Sequence, residues 1–521
     1  MMGNGRFLAA VAENPRHPMT RDKVLLLAIV TLSFLLRVTA LDSQSLWGDE
    51  TFSIAVASLR PLPLLETALV DKVHPPLYYL LLHVWLLIGQ QEFCVRFFSV
   101  VSSCLCVAVT YPLGKTIGGP RLGTISSFLL ALSPFHVWYS QETRMYSLAM
   151  LLTVAAAYLF VKCLEDCRKR TRVLFILVSS LAAYTTYAYL LVLLAQGYFL
   201  LFRRRRLKTP LWQHLLSLAG VSLALSPWLI LVFTHGGFYD AGISWIPAVG
   251  PADLFFTLYN FSVGQTSDPT NIINLVSAAV FCVLSGYGLL ALYRSANQEQ
   301  LPEGAAYLAC WSLLPLLVVF VVSIDWPIPL KRSIYHDRFL SLLMPPILLA
   351  AGHGLLHLPR KNNWLAALLA VLVFGTRPPA LGNLYFQETY WRQDMRGAIQ
   401  FIKDTAEPDD VLLIMPTQLP SYLYYSPGEM LWGLAHTTDM KRPWMTYWYP
   451  QLPAQTRVSW EEAQRIWMLQ QVGESDAHHF MPAPPTLEPA KPHTVRAWLD
   501  QNRELVKIYR FRLLVVLLYT T

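Results

Sequence analysis

The chain has 521 residues, of which 54% are apolar and only 14% are Asp, Glu, Lys or Arg. A soluble chain carries about 25% charged residues, so a string of water-soluble domains is excluded. Disordered, collagen-like and disulfide-scaffold classes fall with it, because seven cysteines are sparse for this length.

The net charge of +8 is not a nucleic-acid footprint: residues 382–521 hold 13 basic and 15 acidic residues, so the surplus sits in short loops between apolar runs. That is the pattern of the positive-inside rule. Residues 1–23 are a basic tail. The first apolar run, 24–41, is long enough to cross about 30 Å of hydrocarbon and lacks a small-residue cleavage site, so it reads as a span and not as a signal peptide. Further runs follow at 93–114, 122–139, 146–162, 211–234, 272–293, 304–324, 338–357 and 363–380. The stretch 173–202 is too long for one crossing and reads as two short helices meeting near Tyr187–Tyr189, which makes eleven spans.

Segment 76–90 reaches only about 20 Å at 1.5 Å per residue and contains His83, so it is predicted to lie along the outer surface. With a cytoplasmic N-terminus, the cytoplasmic segments then carry nineteen Lys and Arg against eight in the outer loops of the membrane part. Counting 76–90 as a span would reverse everything after it and move Arg203–Arg206 outside. That run of four arginines reads as a retention signal at a helix end and not as a nucleic-acid patch. Cys94, Cys104, Cys106, Cys282 and Cys310 lie in apolar runs, where a thiol behaves as a small hydrophobe. Cys163 and Cys167 share a basic loop with no second pair to complete a zinc site.

Residues 382–521 fall outside and change character. Helices are predicted over 392–405, 457–472 and 493–504, a strand over 411–416 after an EPDD turn, and one or two strands in the stretch KIYRFRLLVVLLYT. The expected fold class is an α-helical polytopic membrane protein of about eleven transmembrane helices with a small C-terminal extracytoplasmic α/β domain. Its parts are a cytoplasmic tail (1–23), a transmembrane domain (24–381) whose external loop 42–92 holds juxtamembrane helices, and the α/β domain (382–521).

Ionisable residues at membrane depth are costly and mark function by default, and here four polar clusters share the outer face. SLWGDETFS carries Asp49 and Glu50; DKVHPPLYY carries Asp71 and His74. SPFHVWYSQETRMYS offers His136, Gln141, Glu142, Arg144 and Tyr146, and DWPIPLKRSIYHDRF offers Asp325, Lys331, Arg332, Tyr335, His336, Asp337 and Arg338. Each also has a plainer reading. Asp49-Glu50 suit a helix N-terminus, His74 precedes a proline-led helix, and Glu142 with Arg144 suit an aromatic belt with snorkelling charges. Lys331 and Arg332 run against the positive-inside bias, which favours anion binding. His478-His479 read as a solvated loop, not as a metal site. Paired carboxylates opposite cations on one face are what transfer of a group off a lipid phosphate requires. A carboxylate takes the acceptor hydroxyl's proton, and cations stabilise the departing phosphate.

The order LW-x-DE, HPPLYYLLL, SP-x-H-x-x-YSQE-x-RMYSL and Arg338-Phe339-Leu340 with Pro345-Pro346 resembles the GT-C glycosyltransferases. The nearest branch is glycosyltransferase family 39, with protein O-mannosyltransferases, the aminoarabinose transferase and Rgt-type transferases. WRQDMRGAIQFIK…PDDVLLI is similar to the opening of the external domain in many bacterial members. The resemblance implies a polyprenyl-phosphate-linked sugar donor, inverting transfer to a lipid, glycan or protein hydroxyl, no nucleotide sugar, and no nucleic-acid partner. It implies a bacterial cytoplasmic (inner) membrane as the location. It also implies Asp49 as catalytic base with Glu50 beside it, and Arg338, Lys331, Arg332 and Arg144 at the donor phosphate. His74, Glu142, Tyr146 and Gln141 would bind substrate. A divalent metal is left open, with Glu50, Asp71 and His74 as candidate ligands. Two departures from relatives are Lys72-Val73 where some carry an acidic residue before the Pro-Pro, and Phe339 in place of the usual Tyr. The competing class is a multi-span transporter or lipid flippase with an outer-rim polar site. Such proteins usually show repeated halves, and none is visible here.

Overall fold

A computed structural model of the chain describes residues 21–238, 246, 248–295, 303–324, 333–358, 363–414, 416–426, 432–434, 463–471 and 494–521. Apolar runs are helical because a backbone withdrawn from water must satisfy its own N–H and C=O groups. The first helix, α1 (Arg21–Val38), is followed by three short ones, α2 (Gly48–Ala57), α3 (Pro61–Asp71) and α4 (Leu77–Trp85). With nine residues, α4 is about 14 Å long at 1.5 Å per residue and too short to cross a bilayer. There follow α5 (Glu92–Gly118), α6 (Pro120–Ala131), α7 (Pro134–Ser140), α8 (Tyr146–Glu165), α9 (Lys169–Thr185), α10 (Tyr189–Phe202) and α11 (Leu211–Thr234). After them come α12 (Pro251–Ser262), α13 (Ile272–Ser295), α14 (Gly304–Ser323), α15 (Asp337–Leu340), α16 (Met344–Leu356), α17 (Asn363–Gly375) and α18 (Arg377–Phe386). All ten apolar runs carry helix, and among the described residues seven helical runs are long and apolar enough to cross a membrane.

One expected span is interrupted. The run 122–139 is not a single helix: α6 stops at Ala131, and α7 starts at Pro134 with Ser133 as its cap, the Ser133 hydroxyl accepting the His136 N–H at 3.3 Å. Proline cannot continue a helix but suits its first turn. The carbonyls freed by the break are met by two buried arginines. Arg37 donates to Ala131 O (3.0 Å) and Leu130 O (3.3 Å), and Arg377 donates to Leu129 O (2.8 Å). The break expected near Tyr187–Tyr189 falls at residues 186–188, where Thr186 is extended.

The C-terminal part contains α19 (Met395–Thr405), β1 (Val411–Ile414), α20 (Leu419–Tyr425), β2 (Trp432–Leu434), β3 (Arg465–Gln471), α21 (Thr494–Asn502), β4 (Glu504–Phe511) and β5 (Leu514–Thr520). The sheet order is β2-β1-β3-β5-β4, with β1 parallel to β2 and β3, and β5 antiparallel to β3 and β4. Ile399, Ile402 and Tyr422 pack on one face against Trp467 and Val516, while Leu499 covers the other with Met468 and Leu517. The helix expected over 457–472 is corrected here: its described half is β3, the central strand. Ile466, Trp467, Met468 and Leu469 are consecutive and all buried. That suits a strand covered on both faces, whereas a helix packed on one side would leave part of the run in water. Leu513, in left-handed backbone (φ 54°), turns β4 into β5.

This sheet domain is fastened to α2 and the loop before it. Ser45 Oγ donates to Gln393 O at 2.7 Å, Leu46 N–H to the Tyr425 hydroxyl at 2.7 Å, and Thr51 and Ser421 hydroxyls meet at 2.8 Å.

Candidate active site

Asp49 occupies the first turn of α2, where a helix N-terminus favours a carboxylate. Its Oδ2 lies 3.0 Å from Arg338 Nη1, at the start of α15, and 4.0 Å from Arg144 Nη2. The Asp49 side chain is 37% exposed, so the contact is open to water on one side. Residues 289 positions apart thus meet in one place. Arg338 is held there by its neighbour Asp337, which is buried and accepts from Thr257 Oγ1 and Asn260 Nδ2 of α12, each at 2.6 Å.

Arg144, in the loop before α8, carries a relay. Its Nη1 donates to Asp49 O at 3.1 Å and to Ser53 Oγ at 2.9 Å; its Nη2 donates to His74 Nε2 at 3.1 Å. His74 Nδ1–H in turn donates to Asp71 Oδ2 at 2.7 Å. This direction requires a neutral imidazole, and burial does hold His74 below its ordinary pKa, Asp71 pulling it up and Arg144 down. For Asp49, withdrawal from water pushes the carboxyl up, but the Arg144 and Arg338 guanidiniums outweigh it and hold the group below the usual carboxylate range. It is a carboxylate at any physiological pH.

Glu50 goes elsewhere. It is fully buried; Arg96 Nε and Nη2 donate to its two oxygens at 2.9 and 2.8 Å, and Thr143 N–H adds a third bond at 2.8 Å. The expected pair of outward-facing carboxylates is therefore a single one, Asp49. Glu142 is buried as well: Trp138 Nε1 donates to it at 2.8 Å and Arg392 pairs with it, while its Oε2 has no hydrogen bond among the described residues. Burial raises its pKa and Arg392 opposes the rise. Arg392 itself is sandwiched between the Trp47 and Trp138 rings at 4.4 and 4.6 Å. Gln141 is spent on the Arg37 and Thr39 carbonyls, at 3.1 and 2.8 Å. Tyr146 is buried against Tyr139, its hydroxyl without a hydrogen bond among the described residues. Lys331, Arg332, Asp325 and His478-His479 lie outside the described residues.

The candidate metal ligands do not fit a metal. Glu50 is committed to Arg96, Asp71 and His74 to each other, and among the described residues no three of His, Cys, Asp and Glu converge.

Beside the polar cluster opens an apolar cavity of about 490 Å³. Lys72 and His74 stand on its wall with the α9–α10 break, Phe233 of α11 and Phe339 and Leu340 next to Arg338. Sequence reasoning did not foresee this cavity or the place of Arg392, and noted Lys72 only as a departure from relatives. The only signals were a lysine outside the membrane against the charge bias and an arginine following a tryptophan at the domain's start.

Residues 73–231 match the family model described as dolichyl-phosphate-mannose-protein mannosyltransferase. Among solved structures, ArnT from Cupriavidus metallidurans bound to undecaprenyl phosphate superposes with a TM-score of 0.57 at 13% identity, covering 95% of this chain and 97% of that one. The chain has the GT-C fold of membrane glycosyltransferases. Apo ArnT gives the same TM-score at 14% identity. The archaeal oligosaccharyltransferase AglB from Archaeoglobus fulgidus, in complex with an inhibitory peptide and a dolichol-phosphate, gives 0.50 at 11% identity, covering 86% of this chain and 69% of that one. No curated protein matches the chain by sequence. The family-model match contains His74, Glu142 and Arg144 of this GT-C chain but neither Asp49 nor Arg338. Those two are joined to the cluster by the geometry above.

Proposed function

We propose that the chain is a membrane glycosyltransferase that moves a sugar from a polyprenyl-phosphate-linked donor to an acceptor hydroxyl, with inversion. The observation that carries this reading is the 3.0 Å contact of Asp49 with Arg338, in one cluster with Arg144 and His74, at the edge of an apolar cavity of about 490 Å³. The polyprenyl chain lies in the cavity and its phosphate beside Arg338 and Arg144. The acceptor O–H gives its proton to Asp49, the oxygen attacks the anomeric carbon from the face opposite the phosphate, and the C1–O bond breaks to leave a polyprenyl phosphate. Arg338 serves both ends. As it turns to the incoming phosphate its hold on Asp49 loosens, so the carboxylate becomes a better base when the donor is bound. The lipid phosphates in the ArnT and AglB structures support the donor class.

The charge bias supports an N-terminal tail (1–23) in the cytoplasm, with the reaction face and residues 382–521 on the other side of the membrane; the family resemblance supports a bacterial inner membrane as that membrane. The acceptor is a hydroxyl of a lipid, glycan or protein reached from that side, which mass spectrometry of surface glycans with and without the gene would name.

The test is in vitro transfer from a polyprenyl-phosphate sugar by purified Asp49→Asn. Loss of a general base lowers kcat by about 100-fold or more, with donor KM little changed. Full turnover by a folded Asp49→Asn protein removes Asp49 from the chemistry.

A further inference from the structure

Lys72 follows the last residue of α3 and adopts left-handed backbone, with φ at 58°. Glycine accepts that conformation freely; a lysine is strained in it. The backbone there only closes α3, its N–H donating to Ala68 O at 3.3 Å, a task glycine would perform as well. The side chain needs a separate reason.

Its ammonium sits against the turn that ends α11, where a Cβ on Gly236 would stand 3.3 Å from Nζ. Gly236 and Gly237 both have positive φ, 92° and 60°, and the missing side chain of Gly236 leaves room for the lysine. Lys72 is half-buried and lines the apolar cavity. His74, the other basic side chain on that wall, has both ring nitrogens committed, to Asp71 and Arg144. Lys72 Nζ makes no ion pair or hydrogen bond among the described residues. The lining is otherwise largely apolar, with Leu190, Leu191, Leu229 and Phe233 among it. An apolar cavity whose wall carries one cation uncommitted among the described residues fits an amphiphile with an anionic head.

We propose that Lys72 is a donor-phosphate ligand, its ammonium gripping the phosphate of a polyprenyl phosphate whose first units fill this cavity. The proposal rests on the function proposed above and adds a cation on the cavity side to Arg144 and Arg338 on the Asp49 side. Strained backbone maintained by its surroundings at a ligand clamp is a recurrent arrangement.

The strain makes the test clean, because Lys72→Gly removes the cation while relieving the backbone. Full-length wild type, Lys72→Gly and Lys72→Arg are compared by thermal unfolding and by equilibrium binding of a short-chain polyprenyl phosphate, the matching polyprenol and inorganic phosphate. Lys72→Gly is expected to keep or raise Tm, to bind polyprenyl phosphate about ten-fold more weakly and to bind polyprenol unchanged; Lys72→Arg stays near wild type. Wild-type affinity for inorganic phosphate equal to that for the lipid overturns the lipid headgroup as the ligand. If wild type and Lys72→Gly bind polyprenyl phosphate equally, Lys72 has no such role while the donor class stands. If wild type binds no polyprenyl phosphate, both readings fall.

Discussion

Asp49 and Glu50 are adjacent in sequence and opposite in fate, because successive residues of a helix point about 100° apart. Asp49 faces the half-open cluster, whereas Glu50 turns inward to Arg96, which also donates to the Leu41, Gln44 and Ser45 carbonyls at 2.8 to 3.0 Å. Glu50→Ala would leave Arg96 charged, buried and short of its carboxylate, a loss of about 3–5 kcal/mol. Its Tm should drop steeply, while that of Asp49→Asn should stay near wild type. The relay through His74 sets a pH dependence. Its folded pKa is lowered by burial, so the unfolded chain binds the extra proton first, and stability is lost as pH falls below about 6.5. Protonated His74 no longer accepts from Arg144 and repels it, so transfer should fall further into acid, as pH passes the lowered folded pKa of His74. His74→Gln should abolish this limb in a pH–rate profile and leave only losses in the carboxylate range. The residues of this cluster are legible in the sequence because an ionisable group at the end of an apolar run stands out. The inward turn of Glu50 is not, since Arg96 lies 46 positions away and nothing local announces the pairing.

At the scale of elements, spans are read from apolar runs, and their interruptions from proline and from close packing. Pro134 signals the α6–α7 break, yet the run 122–139 masks it, because its apolar side chains continue across the gap. The arginines that complete the broken end, Arg37 and Arg377, come from other helices and cannot be paired with it from sequence. In the sheet domain, the window around β3 contains Glu461, Glu462 and Gln464 and reads as helix by propensity, whereas burial on both faces decides for a strand. Helix contacts depend on a different signal, small residues. A Cβ on Gly354 of α16 would strike Leu284 O of α13, and one on Gly288 would strike Ala350 O. Both obstacles are backbone, so neither can swing aside. Gly354→Ala should force the two helices apart and cost about 1–3 kcal/mol as overpacking does, visible as a lowered Tm in detergent. An equal Tm would mean that the helices separate without loss.

Over the whole molecule, one side chain joins the sheet domain to both loops beside Asp49 and Arg144. Arg392, ahead of α19, lies between Trp47, two residues before Asp49, and Trp138, and pairs with Glu142. A planar guanidinium between two indoles fixes the spacing of the two loops in a way an ammonium cannot. Arg392→Ala should therefore leave the sheet folded but displace Asp49 relative to Arg144, and misplacement of about 1 Å costs on the order of 100-fold in rate. Lys at this position should not rescue it. The variant also has a pH signature. Glu142 already has a raised pKa from burial, and without Arg392 it rises further, so the folded state holds a proton that the unfolded state releases near pH 4.3. Stability of Arg392→Ala should therefore decline as pH increases from about 4.3 up to the raised pKa, more steeply than in wild type. In Arg392→Ala with Glu142→Gln the slope should vanish, because no carboxyl remains to ionise in the dry site. A slope that persists in the double variant would mean that Arg392 acts through another group, and would separate the sheet domain's grip from Glu142.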